Sequence, residues 1–155
     1  MPKPVKFVLA ILIAASAVAT AQIYQLRVFA EQRREHAVAD AMGLYRDAGM
    51  AELIGESLEC YTRAVDAKVS DRVRSLMIER CIAIDWVGNQ IENAVAAALN
   101  VEPAEYFAPG TARSRVERLA KEAGIDQQNL NELLGEIDRL VKVSVDLWTN
   151  QDSRR

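Results

Sequence analysis

One histidine, His36, stands among 155 residues, with two cysteines, four prolines and seven glycines. A lone histidine excludes any metal or acid–base site that needs two. Cys60 and Cys81 are too far apart in sequence for a Cys-x-x-Cys redox or haem motif. No proline lies between Pro4 and Pro103, so most of the chain is free of that helix breaker. No run alternates like a strand rich in valine, isoleucine and threonine. There is no glycine-rich phosphate loop either. The basic excess of a nucleic-acid surface is also missing: 19 Lys and Arg face 22 Asp and Glu, for a formal charge of −3. A hydrophobic share of 50% is too high for a disordered tail. The length allows one domain, or a domain plus a targeting segment.

That segment is legible at the start. Lys3 and Lys6 precede the apolar run from Phe7 to Ile13. The run passes into Ala14-Ala15-Ser16-Ala17-Val18-Ala19-Thr20-Ala21. Basic, then apolar, then small is the order of a secretory signal peptide. Ala19-Thr20-Ala21 fits a cleavage site that leaves Gln22 first, and Ala17-Val18-Ala19 fits nearly as well. The rival is a retained membrane anchor, because no charge occurs from Phe7 to Leu26. Thr20, Gln22, Tyr24 and Gln25 weaken the last third of that window and favour cleavage. No twin arginine precedes the run, and no cysteine directly follows it to be lipidated. The expected organisation is a signal over 1–21 (or an anchor to about 26), a domain over 22–150 and a frayed tail over 151–155. A cleaved domain is periplasmic or secreted; an uncleaved one is tethered to the inner membrane. Losing Lys3 and Lys6, with no acid, takes the charge from −3 to −5.

The rest reads as all-α: a bundle of four to five amphipathic helices. The first spans Ile23 to Ala48, with Leu26, Ala30, Ala37, Ala41, Leu44 and Ala48 on its apolar face, and Gly49 ends it. The second spans Met50 to Ala67, with Met50, Ile54, Leu58, Tyr61 and Val65 as its stripe. Ser70 caps the third, which extends to about Leu99 and carries Val73, Met77, Ile84, Val87, Ile91, Val95 and Ala98. Gly88-Asn89 is its expected bend. A break over Asn100 to Gly110 has room for one turn at Ala104 to Phe107. Thr111 is expected to cap the fourth helix, which ends at Gly124. Asp126 caps the fifth, whose stripe is Leu130, Leu133, Leu134, Ile137, Leu140, Val141, Ser144 and Trp148.

Cys60 and Cys81 are centred on the turn between the second and third helices. In an antiparallel hairpin they stand level, so an exported protein is expected to join them as a disulfide. Their wheel positions, off the centre of each stripe, allow contact only along the helix edges.

The remaining chemistry is sparse. Glu35, His36 and Asp40 share a helix face, but zinc sites usually take several His or Cys, so a solvated face is expected and no metal or cofactor. Gly55-Glu56-Ser57-Leu58-Glu59 has the first half of a nucleophile elbow but lies within a helix and lacks the second glycine. Glu52, Glu56, Glu59 and Asp66 line one face of the second helix, with Arg63 placed to pair with Glu59. Arg80 falls within the third helix's apolar stripe. It is expected either to pair with a buried carboxylate, to snorkel outward, or to mark an anion or partner site. Trp86 either packs on another helix or marks a contact surface. Tyr106 and Phe107 either cover the open end of the bundle or anchor an interface.

With no catalytic residue identified, the expected protein is not an enzyme. It is an exported interaction protein: an adaptor, inhibitor or immunity-type partner of another exported or membrane protein. Arg80, Trp86, Tyr106 and Phe107 are its candidate partner-binding residues. Nucleic acid is not an expected partner, and a membrane is one only if the N-terminal segment is retained. The alternatives are an inner-membrane-tethered accessory subunit and a small-ligand or metal-binding bundle.

Overall fold

The computed structural model describes residues 3–66, 69–103 and 105–152, with side chains described from Thr20 onward except at 71–72 and 149–152. It is all-α, with the order α1 (Lys3–Ala64), α2 (Asp71–Leu99), α3 (Pro109–Glu122) and α4 (Gln127–Asp152). The chain divides into two compact units, Met1–Arg33 and Arg34–Arg155. Among the described residues no helix is long and apolar enough to cross a membrane. The signal peptide and its anchor rival fall mostly on side chains outside the described residues. Positions 153–155 of the expected tail lie outside them as well.

Helix ends follow local chemistry. Gly49 interrupts α1 with φ 82° and ψ −174°, a left-handed φ that favours glycine. It divides the helix into two arms at the expected place. The second arm ends at Ala64, where Arg74 of α2 donates from Nε to the Ala64 carbonyl (3.1 Å). Ser70 accepts from the Val73 N–H and caps α2. Asn100 closes that helix in the left-handed region (φ 52°). The Thr111 cap is corrected: α3 begins at Pro109, with proline at a position where its missing N–H costs nothing. Gly124 (φ 69°) ends α3, with the Ile125 N–H donating to the Ala120 carbonyl (2.9 Å). Asp126 Oδ1 accepts from the Asn129 N–H (2.9 Å) and caps α4.

Within Arg34–Arg155, α2 packs against both α3 and α4. Its middle is buried almost all round: Ile78, Cys81, Ile82, Ala83, Ile84, Val87 and Ile91. From α4, Leu130, Leu134, Ile137, Val141 and Val145 enter the core, close to the expected stripe. The stripe of the second arm of α1 is corrected. Leu53, Ser57, Cys60, Tyr61 and Ala64 are buried, whereas Leu58 and Val65 are exposed. The helix is turned so that Ser57 and Cys60 meet partners in α2, which hydropathy alone does not reveal. The bend at Gly88 is corrected too: α2 is continuous from Asp71 to Leu99. Gly88 admits the Phe107 ring, since a Cβ there would lie 2.6 Å from it. Arg34, the first residue of this unit, forms ion pairs with Glu79 of α2 and Glu136 of α4.

Candidate functional site

The densest polar cluster is built around Asp85. This residue sits in the apolar run Ile82-Ala83-Ile84-Asp85-Trp86-Val87 and is fully buried. A carboxylate there needs partners, and three elements supply them. Ser57 Oγ donates to Oδ1 (2.6 Å), and Tyr61 Oη donates to Oδ2 (2.9 Å). Arg115 of α3 donates to Oδ2 from Nη2 (2.9 Å) and Nε (3.1 Å). Arg115 also donates from Nη1 to the Tyr106 carbonyl (2.9 Å), and its guanidinium lies 4.2 Å from the Tyr106 ring centroid. Tyr106 Oη closes the circuit by donating to Ser57 Oγ (3.0 Å).

Burial pushes the Asp85 carboxyl above its ordinary value, while Ser57, Arg115 and Tyr61 oppose that shift. Burial raises the Tyr61 phenol as well, reinforced by the adjacent Asp85 charge. Ser57 is the serine of the elbow-like stretch. It is wholly buried within α1 and its proton is directed at a carboxylate. This arrangement locks α1, α2, α3 and the loop before α3 together. It offers no exposed nucleophile.

The expected partner residues separate. Arg80 is exposed rather than buried in a stripe, and its Nη2 donates to Glu56 Oε1 (2.9 Å). It lines a surface cleft of about 510 Å³ with Asp40, Arg46, Asp47 and Glu56, where acids outnumber bases. Val73 and Leu76, its expected apolar neighbours, are exposed as well. Trp86 is half-buried against the core. Phe107 is fully buried against Gly88, and Asn89 Nδ2 donates to its carbonyl (2.7 Å). It therefore covers the core and has no surface for a partner. Tyr106 is half-buried, edge-on to Phe107. Glu35, His36 and Asp40 are exposed. Among the described residues no group of three His, Cys, Asp or Glu side chains is placed to hold a metal ion.

The two cysteines do meet. Cys60 and Cys81 form a disulfide with a Cα–Cα distance of 5.7 Å, linking the second arm of α1 to α2. Sequence reasoning missed Arg115, the arginine that does carry a buried ion pair. Its signal was indirect: a solitary acid in an apolar run, at Asp85, demands a cation from elsewhere.

No protein-family model, curated protein or solved structure matches this chain.

Proposed function

We propose that this chain is an exported, non-catalytic interaction module that binds a protein partner through the disulfide-linked α1–α2 hairpin. The observation that carries the reading is apolar exposure on that hairpin. Leu58 and Val65 are 54% and 48% exposed on α1, and Val73 and Leu76 are 46% and 40% exposed on α2. Large apolar side chains on a stapled, well-packed scaffold suit a preorganised contact surface. Export is supported by the basic–apolar–small order of residues 1–21 and by a disulfide of the kind that persists in oxidising compartments.

The test is a crosslinking capture from periplasmic extract with the wild type and with a Leu58→Glu/Leu76→Glu variant. A protein captured by the wild type and lost with the variant, at unchanged thermal stability, supports the reading. Equal capture by both removes the hairpin as the surface.

A second reading, a membrane-tethered accessory subunit, has its own support. Ile23, Tyr24, Leu26 and Phe29, which follow the small-residue stretch, are all more than half exposed. A tyrosine beside an apolar run suits a membrane interface, and the apolar side chains around it suit the bilayer. N-terminal sequencing of the mature protein separates the two, since Gln22 or Thr20 as first residue ends the tethered version.

A further inference from the structure

Unlike Asp85, the buried carboxylate Glu92 is not satisfied. A cavity of about 270 Å³ is lined by Tyr45, Met50, Val101 and Pro103, together with Glu92 and Glu102. Glu102 is exposed. Glu92, near the end of α2, is only 8% exposed, and its Oε2 is buried without a hydrogen-bond partner. Among the described residues no Lys or Arg lines this cavity. The contrast with the other buried polar side chains is direct: Ser57 and Asp85 satisfy each other and their neighbours. An unpaired carboxylate in an apolar wall is costly. A cation that paired with it would relieve that cost.

We propose that this cavity binds an apolar organic cation, an alkyl- or arylalkyl-ammonium whose nitrogen pairs with Glu92. Its hydrocarbon body lies against Met50, Val101 and Pro103. Tyr45, held edge-on by Trp148 with ring centroids 5.8 Å apart, offers an aromatic face to the same cation. Glu102 adds negative potential that draws cations toward the cavity. The volume is below that of most cofactor pockets, which suits a small amine rather than a nucleotide or haem. The inference stands independently of the interaction-module reading.

The experiment titrates the full chain with phenethylammonium and with its neutral counterpart 2-phenylethanol, followed by calorimetry and two-dimensional NMR. The expected result is saturable binding, with the ammonium at least about tenfold tighter than the alcohol, as one charge-assisted hydrogen bond provides. Glu92→Gln abolishes that preference. Val101→Trp, at an exposed position that leaves the fold intact, fills the cavity and weakens both ligands. A capped lysine distinguishes the source of the cation. Tighter binding than phenethylammonium assigns it to a protein partner's side chain, and weaker binding to a free amine. Absence of saturable ammonium binding overturns the proposal. So do equal affinities for ammonium and alcohol, or an unchanged preference in Glu92→Gln.

Discussion

Arg115 and Asp85 form the one ion pair in which the acid is wholly withdrawn from water, with Nη2 2.9 Å from Oδ2 and Arg115 itself only 15% exposed, among the described residues. The pair joins α3 to α2, and through Ser57 and Tyr61 it also holds the second arm of α1. Its value is best measured by breaking it.

Arg115→Met leaves Asp85 buried with only two hydroxyl donors. Removing one member of a buried pair costs about 3 kcal/mol, far more than the pair's net worth. The variant is expected to lose that amount in urea unfolding at neutral pH. Burial already raises the Asp85 carboxyl, and losing the guanidinium raises it further. A raised carboxyl holds more protons folded than unfolded, so its contribution is full at acid pH and is lost as pH rises through its range. The deficit of Arg115→Met is therefore expected to shrink on acidification. Adding Asp85→Leu should restore much of the loss. A deficit that is independent of pH would point to lost packing instead of an unpaired charge.

Gly88 and Phe107 make a second sharp case. Alanine is the better helix former by about 1 kcal/mol, and propensity alone predicts that Gly88→Ala stabilises α2. The Phe107 ring leaves no room, because the new Cβ would lie 2.6 Å from two ring carbons and 2.7 Å from a third. Phe107 is fully buried and cannot swing into solvent. The expected outcome is a net loss of about 2 kcal/mol, the scale of overpacking in a core. Phe107→Leu in the same chain should recover part of it, read from thermal melts.

Cap and breaker chemistry made the helix ends legible: Gly49, Ser70, Gly124 and Asp126 act where the sequence puts them, because their effects are local. The α4 stripe was legible for a related reason, its apolar spacing being interrupted only at Ser144. The α1 stripe was not, since the buried face is centred on Ser57, which hydropathy sends outward, and takes in Cys60, which lies off the run of Leu58, Tyr61 and Val65. Arg80 and Arg115 show the same limit at the candidate site. Each lies near an apolar stripe, and only three-dimensional neighbours decide which one meets a buried acid. Gly88 looked like a bend because a glycine's need for space is set by a ring 19 positions away in sequence.

The Cys60–Cys81 disulfide closes a loop with a sequence separation of 21. On the chain-entropy model such a cross-link contributes about 3 kcal/mol by restricting the unfolded chain. A Cys60→Ser/Cys81→Ser variant is expected to lose about that much in urea unfolding. Its m-value should rise, because the uncrosslinked chain exposes more surface on unfolding. Mass spectrometry under non-reducing conditions should find no free thiol in the wild type.

Glu92 allows a stability measurement that needs no ligand. Burial raises its carboxyl above the ordinary glutamate value of 4.5. As with Asp85, the folded state then holds a proton that the unfolded state releases, so stability falls as pH rises through the raised range. Here no donor offsets the cost, because Oε2 has no partner. Glu92→Gln removes the charge while keeping the shape. At pH 7.5 the variant is expected to be more stable than the wild type by about 1 kcal/mol, the lower end of the cost of an unsatisfied buried group. The advantage should narrow as pH falls toward 4.5, because the raised wild-type carboxyl takes up its proton above the ordinary glutamate value. Urea unfolding at the two pH values measures both halves. A variant less stable than the wild type at pH 7.5 would mean that Glu92 is already paired in the free protein.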